Sequence, residues 1–257
     1  KRVLTALVLL FIGLYVLFNG GLPLILFLTI IGILSFYEVK KMTELSSNAL
    51  MATNMIFFVL IMAYIYQFNL SFSLMYAVPV ATLFIVFCYE FFNRLLIFRS
   101  YPFLNNLKYF SYIYFGFSSV YFIRLMNDGL VYISLLFLSI WSTDVFAYYG
   151  GRAFGKTKLS ELSPKKTVEG TVIGVLSAGF FVGIGCYLFN LSYFFLVAAL
   201  LIGLLAQMGD LYESLIKRTY NVKDSSNILP GHGGILDRAD STLFVAPIFY
   251  LIILLLQ

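Results

Sequence analysis

The chain alternates long apolar runs with short polar segments along almost its whole length. A helix that crosses the hydrocarbon core of a bilayer needs about 20 mostly apolar residues. Windows of that size predict about nine transmembrane helices, so we expect an all-α, polytopic integral membrane protein. The predicted spans cover residues 3–18, 22–37, 50–66, 73–92, 107–125, 130–149, 171–189, 192–212 and 241–256.

The first two predicted spans are short, and only residues 19–21 separate them. Two arrangements stay open for this pair: a tight helical hairpin, or one span followed by a re-entrant segment. The apolar run after Lys1 and Arg2 also has the form of a secretory signal peptide, but no small-x-small cleavage site follows it, so a span is favoured. No repeat, low-complexity tract or Pro-rich linker divides the chain, and we expect residues 1–257 to form one transmembrane domain.

Basic residues fall on one side of this span map. If the N-terminus is cytoplasmic, every one of the 17 Lys and Arg residues except Arg124 lies in a segment on the cytoplasmic side. Lys and Arg concentrate in the cytoplasmic loops of membrane proteins, so the alternation supports the map and its orientation. The segments on the opposite side are short and nearly uncharged. Function is therefore expected in the membrane or at its cytoplasmic face.

Composition narrows the class of protein further. The chain is 61% hydrophobic and 11% charged, whereas a soluble domain has roughly 25% charged residues. Its formal net charge of +5 is explained by cytoplasmic loops that face anionic lipid headgroups. We therefore expect no nucleic-acid partner.

A carboxylate lies inside the predicted span at residues 130–149. Asp144 follows Trp141, Ser142 and Thr143, about one and a half turns before the predicted cytoplasmic end of its helix. A charged group at that depth costs several kcal/mol unless it is paired, so it is a functional-site candidate by default. An internal ion pair that orients the helices is the alternative explanation.

Two cytoplasmic blocks after that span could bind phosphate. Residues 163–170 place hydroxyls and lysines just before a helix, where backbone N–H groups favour anions, although such lysines are also common anchors at span ends. The candidates there are Ser163, Lys165, Lys166, Thr167 and Glu169. Residues 150–157 match the spacing of a phosphate-binding P-loop. A P-loop follows a β-strand, however, and here an apolar span precedes the block, so we reject that interpretation.

The last cytoplasmic segment is the richest in charge. On a helix through residues 206–219, Asp210 and Lys217 share a face, and Ser214 and Arg218 form an i, i+4 pair beside it. Asp237 and Asp240 share a face at the start of the final helix, where acidic residues also complement the helix dipole. Between these helices lie Lys223, Asp224, and Gly233 and Gly234 beside the only histidine, His232, while Arg238 lies between Asp237 and Asp240. Glycines allow a backbone to approach a ligand closely.

The carboxylates converge on one membrane face together with the basic residues. Hard carboxylate oxygens suit Mg²⁺, which commonly bridges a protein to substrate phosphates. We expect one or two divalent ions, held by Asp144, Asp210, Asp237 and Asp240, and leave open a second cation that is monovalent. Basic groups that neutralise phosphates complete the requirements of phosphoryl or nucleotidyl transfer.

The order of these residues resembles a known enzyme family. The elements Ser214-Leu-Ile-Lys217-Arg218, then Lys223-Asp224, then Pro230-Gly-His232-Gly233-Gly234-Ile-Leu-Asp237-Arg238-Ala-Asp240 closely resemble the signature of phosphatidate cytidylyltransferases. The blocks at 142–144, 155–156 and 163–170 are similar to that family's in the same order. The similarity therefore covers residues 141–241, a half that we expect to form a cytoplasm-facing active site. Ala239 departs from it, where a larger apolar residue is expected.

The resemblance implies an enzyme of the bacterial cytoplasmic (inner) membrane. Such an enzyme joins CTP to phosphatidate, giving CDP-diacylglycerol and pyrophosphate, with Mg²⁺ as cofactor and a homodimer as the assembly. Transferred residue by residue, the family's catalytic positions would be Asp144, Lys166, Asp210, Lys217, Arg218, Lys223, Asp224, His232, Asp237, Arg238 and Asp240. The substrate positions would be Ser163, Lys165, Lys166, Thr167, Glu169, Ser214, Lys217, Arg218, Lys223, His232, Gly233, Gly234 and Arg238.

Two other functions stay open at this point. A CTP-dependent polyprenol or dolichol kinase would transfer the terminal phosphate and release CDP. A secondary transporter would explain many spans and an intramembrane Asp144, but it predicts broken helices in two related halves, and no such symmetry is visible. The completeness of the pattern from Lys217 to Asp240 favours the cytidylyltransferase.

Overall fold

The computed structural model describes residues 2–43, 48–68, 74–93, 96, 101–229, 231 and 233–256. Those residues form nine α-helices. In chain order they are α1 Arg2–Asn19, α2 Gly21–Thr43, α3 Asn48–Phe68, α4 Leu74–Asn93, α5 Pro102–Leu125, α6 Gly129–Phe154, α7 Val168–Phe189, α8 Phe194–Thr219 and α9 Leu236–Leu256. Each predicted span corresponds to one of these helices, which confirms the all-α prediction and is roughly consistent with the predicted count of about nine transmembrane helices.

Six of the described helices, α2, α3 and α6 to α9, are long and apolar enough to cross a membrane. In α1 and α4 the described apolar segments are shorter, Leu7–Asn19 and Val78–Asn93. Helix α5 begins with the polar side chains of Asn105, Asn106 and Lys108. The six long apolar helices show that the protein is an integral membrane protein.

Several helices extend beyond the predicted spans at the end that carries the basic loops. Helix α2 continues to Thr43, α6 to Phe154 and α8 to Thr219. Asp144 therefore lies almost three turns, about 15 Å, from the end of its helix rather than one and a half turns. The prediction stopped too early because charged residues were assigned to loops, although helical backbone satisfies its own hydrogen bonds on both sides of the membrane boundary.

The pair α1 and α2 consists of two separate helices joined at Gly20, which has a positive φ of 63°. The N–H of Gly20 donates to the Val16 carbonyl at 2.9 Å. Arg124 donates to the carbonyls of Leu17 and Phe18 at 2.8 and 2.9 Å, and so binds the end of α1. This contact explains why Arg124 lies outside the segments that were predicted to be cytoplasmic, because a cation complements the negative end of a helix dipole.

Glycines allow the helices that carry the motifs to pack closely. A Cβ built on Gly174 would lie 2.6 Å from the Thr143 carbonyl oxygen, and one on Gly170 would lie 2.6 Å from that of Ala147. Helices α6 and α7 therefore meet almost backbone to backbone. Small residues at such interfaces are typical of membrane helices, where association depends on close packing.

Helix α5 connects the N-terminal helices to this group. It packs against α2 on one side and against α9 on the other, where a Cβ at Gly116 would lie 2.9 Å from Leu243 Cα. An aromatic cluster of Phe87, Tyr112, Tyr212 and Phe244 fills the junction of α4, α5, α8 and α9, with ring centroids of Phe87 and Tyr212 4.6 Å apart. This apolar cluster fixes α8 against α9 beside Asp240.

Candidate active site

A chain of polar side chains connects α6, α8 and the loop before α7. The Nζ of Lys166 lies 2.6 Å from Asp210 Oδ2 and donates to Gln207 Oε1 at 2.9 Å. The Nε2 of Gln207 donates in turn to Asp144 Oδ1 at 3.2 Å. Asp144, Lys166 and Asp210 were predicted to lie at one site, and this network joins all three through Gln207, which the sequence analysis did not identify.

The loop between α6 and α7 holds Lys166 in this position. Thr167 caps α7 by accepting a hydrogen bond from the N–H of Gly170 at 3.2 Å, as hydroxyl residues do at helix N-termini. Leu159 donates its N–H to the Lys166 carbonyl at 2.9 Å, which closes the loop on itself. The Lys166 backbone is thus fixed on both sides, and its side chain is directed at Gln207 and Asp210.

Glu169 binds the backbone of the same loop. Its carboxylate accepts hydrogen bonds from the N–H groups of Lys156 and Thr157 at 3.1 to 3.2 Å. These are amides that a P-loop would offer to a phosphate, and Gly150 lies inside α6 rather than in a loop. The rejection of a P-loop therefore agrees with the geometry, and Glu169 organises the loop.

Asp240 adds a third carboxylate to the network from α9. Its carboxylate is repelled by that of Asp210 and, less strongly, by that of Asp144. Helices α8 and α9 approach closely here, since a Cβ at Gly209 would lie 3.2 Å from the Asp240 carbonyl oxygen. That carbonyl also accepts a hydrogen bond from the Tyr112 hydroxyl at 3.0 Å. The backbone of Asp240 therefore contacts α5 through Tyr112 and packs closely against α8 at Gly209.

A second cluster surrounds Lys217, about two turns beyond Asp210 along α8. Its Nζ lies 2.6 Å from Glu213 Oε2 and 2.9 Å from Asp237 Oδ1. Asp237 also accepts hydrogen bonds from the N–H of Ser225, at 3.0 and 3.2 Å, and of Gly234, at 2.8 Å. The Asp237 carboxylate is thus already engaged by a cation and two amides, and its predicted role as a metal ligand stays a prediction.

The donor set of the first network suits a hard divalent cation. Asp144, Asp210 and Asp240 supply three carboxylates from three helices, and the ammonium group of Lys166 contacts Asp210. Carboxylate oxygens in excess of neighbouring positive charge are what Mg²⁺ prefers. Within the described ranges, however, no three His, Cys, Asp or Glu side chains already form one coordination sphere.

The other predicted residues differ in their accessibility. Ser214 is buried and Ser163 is half-buried, whereas the exposed side chains are Lys165, Arg218, Lys223, Asp224 and Arg238. Arg218 donates to the Val222 carbonyl at 3.5 Å at the end of α8. His232 lies outside the described residues, so its predicted contact with phosphate stays a prediction.

Gly233 and Gly234 approach carboxylates of the protein itself. Gly233 has a φ of 82°, and a Cβ there would lie 2.7 Å from Asp237 Oδ2. A Cβ on Gly234 would lie 2.7 and 2.8 Å from the two oxygens of Glu38 and would also clash with Ser225 Oγ. The sequence analysis predicted that these glycines let the backbone approach a ligand, and that stays a prediction. Within the chain, they let the backbone approach Asp237 and Glu38.

Comparison with known proteins identifies the family. A model of the cytidylyltransferase family matches residues 1–256. The chain belongs to this family. Phosphatidate cytidylyltransferase of Staphylococcus aureus (strain COL) is 36% identical over 275 aligned positions, which cover 98% of both chains. That of Bacillus subtilis (strain 168) is 47% identical over 150 residues, 56% of each chain, and that of Synechocystis sp. is 46% identical over 132 residues. The matched region is about half of the length of these last two relatives, 56% and 45%.

Two buried carboxylates of this cytidylyltransferase were missed by sequence reasoning. Glu38 in α2 and Glu90 in α4 are both completely buried. Glu90 forms an ion pair with Lys108 of α5 at 3.0 Å and accepts a hydrogen bond from the Tyr212 hydroxyl at 2.7 Å. The signal was present in the sequence, because Glu90 lies inside a predicted span and an intramembrane carboxylate demands a partner.

Proposed function

We propose that this cytidylyltransferase is a phosphatidate cytidylyltransferase, which converts CTP and phosphatidate to CDP-diacylglycerol and pyrophosphate. The observation that carries the proposal is the network of Asp144, Gln207, Lys166 and Asp210, with Asp240 beside it, at one end of membrane-spanning helices. It combines carboxylates and a lysine in a chain related over 98% of its length to a phosphatidate cytidylyltransferase.

The reaction requires little acid–base chemistry from the protein. A phosphatidate oxygen attacks the α-phosphorus of CTP, a new P–O bond forms, and the bond from that phosphorus to the bridging oxygen of the β-phosphate breaks. Pyrophosphate leaves with the electron pair. The attacking oxygen is largely ionised at neutral pH, so positioning and charge neutralisation are the main tasks of the site.

Asp210 and Asp240, with Asp144 nearby, are the residues that would hold Mg²⁺. A bound Mg²⁺ would neutralise the phosphates and stabilise the charge that develops on pyrophosphate. When Asp210 binds the ion, Lys166 would leave Asp210 and contact a phosphate oxygen instead. With Lys165 and Thr167 it would contact one group of phosphates, and Lys217, Arg218, Lys223 and Arg238 would contact the other.

The proposal includes the orientation in the membrane. The helix ends that carry these residues also carry the basic loops, which favours a cytoplasmic site in the inner membrane, where CTP is available. The acyl chains of phosphatidate would stay in the bilayer while its headgroup reaches the site. A homodimer, and a single transmembrane domain over residues 1–257, complete the proposal.

The first test is product analysis with purified protein in detergent micelles, phosphatidate, Mg²⁺, and CTP labelled in both the α- and γ-phosphates. We expect α-label in the lipid and labelled pyrophosphate in solution. Label from the γ-phosphate in the lipid, with release of CDP, would instead identify a lipid kinase. If folded protein transfers neither label, the cytidylyltransferase proposal is wrong, and uptake of substrate into vesicles becomes the next measurement.

The second test concerns the carboxylates. Asp210→Asn and Asp240→Asn each keep the side-chain size but remove one negative charge. We expect the half-saturating Mg²⁺ concentration to rise and turnover to fall. Asp128→Asn is the matched control, because Asp128 is exposed in the turn before α6 and has a φ of 57°, a conformation that Asn accepts. Normal Mg²⁺ dependence of both site variants would refute the metal assignment.

A further inference from the structure

Glu38 joins α2 to the loop between α8 and α9. It lies in the last third of α2 and is completely buried. Its carboxylate accepts hydrogen bonds from the hydroxyls of Ser225 and Ser226, at 3.1 and 2.6 Å, and from the N–H groups of Ile235 and Leu236, both at 2.8 Å. These four donors are neutral, and two of them belong to the N-terminal end of α9.

Glu38 and Asp237 bind the same loop from two sides. Ser225 donates its hydroxyl to Glu38 and its N–H to Asp237. Gly234 donates its N–H to Asp237, and a Cβ there would lie 2.7 and 2.8 Å from the Glu38 oxygens. The loop backbone therefore passes between two carboxylates, with no space for a side chain at position 234.

The position of this loop determines where α9 begins. Leu236 is the first residue of α9, and Asp237 and Asp240 lie in its first two turns. An anion that accepts hydrogen bonds from the first amides of a helix is stabilised by the helix dipole and fixes the helix start. A displacement of α9 would therefore move both Asp237, with its ion pair to Lys217, and Asp240, whose carboxylate is repelled by that of Asp210.

We infer that Glu38 is a positioning residue for the transfer reaction, which acts from α2 by holding Ser225, Ser226 and the start of α9. The inference rests on the function proposed above. None of the described hydrogen bonds of Glu38 reaches the network of Asp144, Gln207, Lys166 and Asp210, or Asp240 beside it. Glu38 acts through the loop. It is thus a contribution of the N-terminal half of the chain to a site whose recognised motifs all lie between residues 141 and 241.

If Glu38 were purely structural, its replacement would have a different effect. It would change the amount of folded protein but leave turnover per folded molecule, and the Mg²⁺ dependence, unchanged. A positioning residue changes both, because a misplacement of about 1 Å at reacting groups can cost roughly 100-fold in rate. The two roles are therefore separable by measurement on folded, purified protein.

The test compares Glu38→Gln with Ser226→Ala. Glu38→Gln keeps the size of the side chain but turns one acceptor into a donor that faces another donor. We expect turnover per folded molecule to fall about 100-fold, with a higher half-saturating Mg²⁺ concentration. Ser226→Ala removes one donor and keeps the charge, so we expect the same changes at about tenfold in turnover. Asp128→Asn serves as the control and keeps wild-type values.

Hydrogen exchange provides a readout that does not depend on activity. In Glu38→Gln the amides of Ser225 and residues 234–236 should exchange faster than in the wild type, while those of α6 and α7 should not change. If both variants keep wild-type turnover, Mg²⁺ dependence and exchange, the inference is wrong. If Glu38→Gln does not fold, Ser226→Ala decides in the same way. If the wild type forms no CDP-diacylglycerol, the proposed function fails, and exchange still tests whether Glu38 holds the loop.

Discussion

Replacement of Lys166 by Met separates a functional lysine from a structural one. The substitution removes the ammonium group that lies 2.6 Å from Asp210 and 2.9 Å from Gln207, and it keeps an unbranched side chain of similar length. Lys158→Met is the matched control, because Lys158 is exposed in the same loop. We expect a large loss of turnover with only a small loss of stability.

The expected magnitudes follow from the exposure of the ion pair. The side chains of Lys166 and Asp210 are 19% and 33% exposed, so solvent screens the pair only in part and its contribution to stability is about 1 kcal/mol, the upper end for exposed pairs. Loss of one preorganised charge that stabilises a transition state costs roughly 100- to 1,000-fold in turnover, or about 2.7 to 4 kcal/mol. The catalytic effect should therefore exceed the stability effect severalfold.

The assay measures turnover with labelled CTP and phosphatidate and, in parallel, thermal unfolding in the same detergent. We expect Lys166→Met to unfold within about 2–4 °C of the wild type, while its turnover falls to a small fraction. Lys166→Arg keeps the charge but not the compact ammonium geometry, so it should recover part of the activity. The reasoning is refuted if Lys166→Met retains wild-type turnover, or if Lys158→Met loses as much.

Three other predictions concern the surrounding structure. Gly234→Ala should destabilise the protein by about 1–3 kcal/mol, because the new Cβ would overlap the Glu38 carboxylate; an unchanged unfolding temperature would contradict this. Lys108→Met should cost about 3–5 kcal/mol, because it removes the buried ammonium group that lies 3.0 Å from the Glu90 carboxylate, and Glu90→Leu in the same chain should restore much of the loss in thermal unfolding. Glu169→Gln should accelerate hydrogen exchange at the two loop amides that it binds, and equal exchange rates would show that the carboxylate is dispensable there.

The helices and their number followed from local properties of the sequence. Apolar runs of sufficient length must become helices in a bilayer, because each backbone polar group has to be satisfied within its own segment. The distribution of Lys and Arg then indicated which helix ends lie together, and the contacts of Lys166 with Asp210 and of Lys217 with Asp237 agree with that grouping. The family motif identified the candidate residues, because their order and spacing are properties of the sequence itself.

The tertiary structure decided which partner each of those residues has. Gln207 connects Asp144 to Lys166, and Asp237 binds Lys217 and the loop amides, although nothing in the spacing of these residues specifies either contact. Glu38 is the clearest case. Sequence analysis placed it just beyond the end of a span, whereas its hydrogen-bond donors lie 187 to 198 positions farther along the chain.

The physical reason for this division is the range of the interactions. Hydrophobic length, helix propensity and charge asymmetry depend on neighbouring residues, so the sequence alone determined the nine helices, their grouping by charge and the family motif. The partner of a buried carboxylate depends on how α2, α6, α8 and α9 pack, and glycines such as Gly209 and Gly234 allow the close approach that brings these partners together. Only the tertiary structure could therefore decide that Glu38 holds the start of α9 and that Lys166 lies between Gln207 and Asp210.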